Sequence, residues 1–214
     1  MSPEGDALAA VWRYKKAALF IAAALAALVL LAVLWFWIPD ESGWQNLLAL
    51  IQGLVVIAAA LWLTGTTLLF YRSAHAAEDA RMRPAMRQAL RRLPALAIWY
   101  GLLCAALWLI SARVRWPGTW IVAPALLLPL AGSAAAEGFR GFFRRAWRWR
   151  YFPGAVVLLA AGAYLPWLLW SWHPALSGVA LETASLAVRA LAAYALAVTA
   201  WLSLASLVGR LQAR

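Results

Sequence analysis

The chain has 214 residues, of which 66% are hydrophobic and only 13% charged, with a mean hydropathy of +0.76. Soluble domains run at about 45–50% apolar and about 25% charged. A soluble enzyme and a disordered tail are therefore excluded, and a lone cysteine excludes a disulfide scaffold. What remains is a membrane protein with a lopsided charge, 19 Lys+Arg against 8 Asp+Glu, a net +11.

A bilayer core about 30 Å thick requires about 20 mainly apolar residues per spanning helix. The first such run, 17–38, carries no charge and lies between Lys15-Lys16 and Pro39-Asp40-Glu41. It is longer than the apolar part of a secretory signal and ends in Trp35-Phe36-Trp37 rather than small residues, so it is expected to stay in the mature chain. The second run, 47–71, stops at Arg72, and the third, 95–112, lies between Arg91-Arg92 and Arg113. Pro117, Pro124 and Pro129 predict a kinked helix in the fourth, 116–136. The fifth is 153–172 and the sixth 181–207, the latter carrying Arg189. The predicted fold is all-α, a polytopic membrane helical bundle with six transmembrane helices forming one integral membrane domain over 1–214.

Six spans put both termini on one side, together with the second-to-third and fourth-to-fifth connections. That side holds 16 of the 19 basic residues, leaving Arg113, Arg115 and Arg189 on the other. Lys and Arg accumulate on cytoplasmic loops, so both termini are expected inside. The whole surplus of +11 then belongs to the inner face, while the outer face balances to zero. The excess of Arg over Lys, 17 to 2, together with abundant Ala fits a GC-rich bacterial genome and hence a bacterial cytoplasmic membrane. Trp35, Trp37, Trp44, Trp108, Trp116, Trp120, Trp167, Trp170 and Trp172 cluster near the outer ends of the spans. Indole rings favour the headgroup level, so a belt is the plain reading and a Trp-rich outer pocket the sharper one.

The inner connections predict amphipathic helices lying in the interface. Phe139, Phe142, Phe143, Ala146 and Trp147 recur at helical spacing, with Arg140, Arg144, Arg145 and Arg148 largely off that face and Arg150 following. The segment 73–93 sets Met82, Met86, Ala89, Leu90 and Leu93 against arginines that include Arg87, Arg91 and Arg92, with Pro84 near the helix start. The N-terminus offers Ala7, Leu8, Val11 and Trp12 in the same way. Such surfaces attract anionic lipid headgroups or dock a protein partner. Nucleic acid is set aside, because the inward bias of positive charge already accounts for the arginines. Similar stretches at 73–78 and 133–137, each before an arginine-rich segment and a proline that opens a span, suggest three units of interfacial helix plus hairpin.

Chemistry inside the membrane is sparse. Arg189 is the one charged residue well inside a span, 21 positions before Arg210, or about 31 Å along a helix. That places it at the outer interface, as an anchor or as part of an outer anion site with Arg113 and Arg115. Thr64, Thr66 and Thr67, and Thr199, Ser203 and Ser206, form two hydroxyl stripes that suit helix packing. His75 and His173 fall on opposite sides, Cys104 lacks a nearby base, and no metal, cofactor or catalytic motif is expected. The sequence therefore points to a non-enzymatic accessory, scaffold or regulatory component with a basic inner face. A transporter or channel for a small solute, anion or lipid is the rival, and a lipid-acting enzyme the third reading.

Overall fold

Every regular element among the described residues is a helix. The structure, a computed structural model, describes residues 3–35, 37–38, 42–76, 80–113, 119–143, 151–172, 174 and 178–213. In chain order the helices are α1 (Pro3–Arg13), α2 (Lys15–Trp35), α3 (Gly43–His75), α4 (Met82–Arg91), α5 (Leu93–Ser111) and α6 (Thr119–Glu137). A 3-10 turn, Gly138–Phe143, follows α6. The rest is α7 (Tyr151–Leu159), a π-turn (Ala160–Tyr164), α8 (Leu165–Ser171) and α9 (Val179–Ala213). The π-turn has a local cause. Pro166 cannot donate to the carbonyl of Gly162 and its ring crowds that oxygen, so the helix widens just before it.

Among the described residues, five helices are long and apolar enough to cross a bilayer: Lys15–Leu34, Gly43–His75, Leu93–Ser111, Tyr151–Ser171 and Val179–Ala213. They coincide with five of the six expected runs. The remaining run, 116–136, coincides with α6, so an all-helical membrane fold with five such helices stands, and a sixth span rests on α6.

Burial is uneven along the long helices. On α3 the buried residues run from Leu61 to Tyr71, and on α9 from Val198 to Gly209. Toward their other ends both helices expose large apolar side chains, Leu50, Leu54 and Val55 on α3 and Leu181, Val188 and Leu191 on α9. At 33 and 35 residues, α3 and α9 reach about 50 Å, longer than an apolar layer of about 30 Å. Their buried stretches lie at the Lys15 end of the bundle, where α4 packs on α3 and α1 on α9. There α1 joins α9, burying Ala7, Ala10 and Val11, while Leu8 and Trp12 stay exposed. Asp6 pairs with Arg210 at 2.7 Å and ties the N-terminal helix to the C-terminal one.

Polar clasps join the thinner parts of the bundle. Gln52 Nε2 donates to the Leu31 carbonyl at 2.9 Å between α3 and α2, and the Tyr194 hydroxyl donates to the Ala22 carbonyl. Pro129 has no N–H for the Ala125 carbonyl one turn before it, and the Tyr151 hydroxyl donates to that oxygen instead. The proline reading of α6 thus gains a consequence: the freed carbonyl is the attachment point of α7.

Of the expected interfacial helices, α4 forms; Ala85 and Ala89 are buried in a helix that packs against α3, while Leu90 is 61% exposed. Over Gly138–Phe143 the expected α-helix is replaced by the 3-10 turn. Gly138 at φ +66° ends α6, a left-handed conformation that other residues adopt at a cost. Gly141 then folds back against the backbone of Ser133 and Ala134. The remainder of that expected helix, including Ala146 and Trp147, lies outside the described residues.

Candidate functional site

The basic face expected on the inner side is carried in part by α4. Arg81, at its N-cap, has extended backbone, and Pro84 supplies a preset φ in the first turn. Arg83, Arg87 and Arg91 follow at intervals of four, which places them in one row along the helix. All three are exposed, as are Arg81 and Arg92. The row borders a groove of about 1150 Å³ that also meets Met82, Pro84 and Gln88. Among the described residues, Arg83, Arg87 and Arg91 have no acidic partner. An arginine row of this kind can hold phosphate or carboxylate groups through paired N–H donors.

Four contacts fix α4 and its C-cap. The Trp62 indole N–H of α3 donates to the Met86 carbonyl at 3.0 Å. Gly65 of α3 has no Cβ, and one placed there would lie 3.3 Å from Ala89 Cβ and 2.7 Å from Leu96 Cδ1. At its far end Gln88 Nε2 donates to the Ala136 carbonyl at 3.4 Å, and the Arg92 guanidinium lies across Gly138. A cation beside the last carbonyls of α6 complements the negative end of that helix dipole. Arg92 therefore has a structural post, whereas Arg87 and Arg91 face outward.

The other expected inner residues divide. Arg140 sits in the 3-10 turn and is exposed. Arg144, Arg145, Arg148 and Arg150 lie outside the described residues.

On the opposite side, Arg189 borders a recess of about 540 Å³ with Trp170, Pro174, Glu182, Thr183 and Ser185. Its Nε donates to the Ser185 carbonyl at 3.3 Å and an Nη donates to the Trp172 carbonyl. The second of these bonds ties α9 to the residue that follows α8. Arg113 is exposed at the end of α5 and does not line this recess. Arg115 lies outside the described residues. Trp37, Trp44, Trp108, Trp167, Trp170 and Trp172 are all exposed at this end of the bundle, as a belt requires. The side chains of Trp35, Trp116 and Trp120 lie outside the described residues.

The hydroxyl stripes serve packing. Thr66 and Thr67 return their hydroxyls to the carbonyls of Trp62 and Leu63, each at 2.8 Å. Ser206 Oγ instead bonds His75 Nε2 across the α3–α9 seam at 2.9 Å. This pairing is invisible in the sequence, because 131 residues separate its members.

A cavity of about 300 Å³ lies between α3, α5, α6 and α9 and is open along one side. Its walls include Leu61 and Thr64 of α3, Trp99 and Leu103 of α5, Leu128 of α6 and Trp201 of α9. It was not legible in the sequence, since each of these residues is ordinary for a membrane helix.

No family model, no curated protein and no solved structure matches this chain. The class is defined by its own geometry: a membrane protein whose described residues form only helices, with most of its buried residues toward the basic end.

Proposed function

We propose that this chain is a six-span, non-enzymatic component of a bacterial cytoplasmic membrane, with both termini in the cytoplasm. It works through its basic inner face, which binds anionic lipid headgroups and presents a docking surface to a partner protein. The observation that carries this reading is the row Arg83, Arg87, Arg91, held outward because Ala85 and Ala89 are committed to α3. Each exposed arginine near an anionic surface contributes roughly 1 kcal/mol of attraction. The test is reconstitution in nanodiscs of mixed phosphatidylglycerol and phosphatidylcholine, with annular lipid quantified after capture. Wild type is expected to enrich the anionic lipid, and replacing all three arginines with Gln to abolish the enrichment. Equal enrichment in the variant would refute the reading. Co-purification of a stoichiometric partner that the same variant releases tests the docking half.

A second reading, transport of a small solute, anion or lipid, draws on the recess beside Arg189. Arg189→Ala separates the two. Loss of solute or anion uptake into proteoliposomes, with lipid enrichment intact, favours transport. Unchanged behaviour leaves Arg189 as an anchor.

A further inference from the structure

We propose that the recess between the end of α8 and the start of α9 binds one phosphatidylethanolamine headgroup, its phosphate at Arg189 and its ammonium at Glu182. The site lies at the end of the bundle opposite α4 and does not depend on the basic-face reading.

Both charges line one recess of about 540 Å³, together with Trp170, Thr183 and Ser185. They stand seven residues apart on α9, two turns and roughly 10 Å along its axis. That spacing returns both to one side of the helix, yet among the described residues neither enters an ion pair. A carboxylate in the first turn complements the helix dipole, which accounts for an acid at Glu182 but not for a guanidinium two turns on. Arg189 also keeps donors in reserve. Its Nε and one Nη–H are taken by the carbonyls of Ser185 and Trp172, so three of the five guanidinium N–H groups remain. Those two bonds hold the guanidinium in place without cancelling its charge, because carbonyls are neutral.

The ligand follows from the two charges. A simple anion at Arg189 would also meet the Glu182 carboxylate, and a simple cation at Glu182 would meet the guanidinium. Opposite charges that share a recess without touching select a molecule that carries both. Depth decides which molecule. Unbroken α9 places Arg189 about 31 Å from Arg210, at the edge of the hydrocarbon layer, with Glu182 roughly 10 Å farther out. A phospholipid has the same order, phosphate next to the hydrocarbon and amine beyond it. Trp170 and Leu186, both exposed, form the apolar part of the recess. An amine bearing N–H groups is favoured, because carboxylate and hydroxyl oxygens accept hydrogen bonds from it. The Thr183 hydroxyl donates to the Val179 carbonyl at 2.7 Å, which leaves its oxygen able to accept. A trimethylammonium is held instead by a cage of aromatic rings, and Trp170 is the one aromatic residue among the described lining.

The experiment titrates the full chain in maltoside micelles with phosphatidylethanolamine and phosphatidylcholine of identical tails, counting bound lipid by native mass spectrometry. Wild type is expected to hold one phosphatidylethanolamine about tenfold more tightly, the scale of one hydrogen bond to a charged group. Equal affinity for the two lipids overturns the proposal. Glu182→Gln is expected to abolish the preference, and a preference that survives it overturns the ammonium assignment. Arg189→Gln is expected to weaken both lipids alike, since both carry the phosphate, and Arg189→Lys to recover most of the binding. Unchanged binding in Arg189→Gln overturns the phosphate assignment. Should that variant fail to fold, the wild-type preference and its loss in Glu182→Gln still decide. O-phosphoethanolamine, the same headgroup without tails, is expected to compete about tenfold more weakly than the lipid, since it lacks their apolar contact. Competition at equal concentration overturns the lipid as the source and makes the recess a site for a soluble zwitterion.

Discussion

Gly209 of α9 lies directly against the backbone of Tyr71 in α3. A Cβ at Gly209 would come within 2.6 Å of the Tyr71 carbonyl carbon and 2.7 Å of the Arg72 nitrogen. Backbone cannot rotate aside, so this contact sets the distance between the two longest helices where both are most buried. Gly209→Ala is expected to force them apart and cost about 1–3 kcal/mol, as overpacking does. Thermal unfolding in detergent checks it. Gly101, with nothing within 4 Å of its would-be Cβ, is the control: Gly101→Ala is expected to be neutral or to stabilise by about 0.5–1 kcal/mol. Equal effects at the two glycines would remove the seam argument.

Tyr151 and Pro129 act as a pair across α7 and α6. Tyr151→Phe leaves the Ala125 carbonyl without its donor, and such a loss costs about 1–3 kcal/mol in a buried site. In a Pro129→Ala background the helix can supply its own N–H, so the same change is expected to cost much less. Unfolding free energies of the four proteins of this cycle give the coupling. A cost that does not depend on residue 129 would show that the proline is irrelevant to the bond.

Ser203 and Ser206 are both fully buried on α9 but differ in partners. Ser206 Oγ bonds His75, whereas Ser203 Oγ has no hydrogen-bond partner among the described residues. Removing an unpartnered buried hydroxyl relieves a desolvation cost, so Ser203→Ala is expected to be neutral or stabilising by up to about 1 kcal/mol. Ser206→Ala should destabilise by about 1 kcal/mol. Parallel melting curves settle the order, and the reverse order would contradict it.

Asp6 and Arg210 join the chain's two ends, with side chains 29% and 21% exposed. Partial exposure limits the pair to about 1 kcal/mol or less, and salt weakens it. Asp6→Asn is expected to speed protease cleavage within α1 at low ionic strength. High salt should bring wild type close to the variant. Protection that is insensitive to both changes would mean that the buried face of α1, Ala7, Ala10 and Val11, holds the helix by itself.

Composition and hydropathy determined the class of this protein and the place of each apolar helix. A bilayer imposes a length on any segment that crosses it, and that requirement is written in consecutive residues. The basic character of α4 was equally legible in Arg87, Arg91 and Arg92, whereas the row that Arg83 forms with Arg87 and Arg91 came with the helix itself. Only the tertiary structure decided which faces meet. Lipid exerts no preference between a neighbouring helix and an acyl chain, so apolar residues inside the membrane do not announce their partners. Ala85 and Ala89 could have faced lipid, and the fit of Gly65 against Ala89 turned them to α3 instead. For the same reason Arg92 became a support for the end of α6, and a cavity opened among Leu61, Trp99, Leu103 and Trp201. The basic charge is local in the sequence, but what it stands beside is set by close packing between segments far apart in the chain.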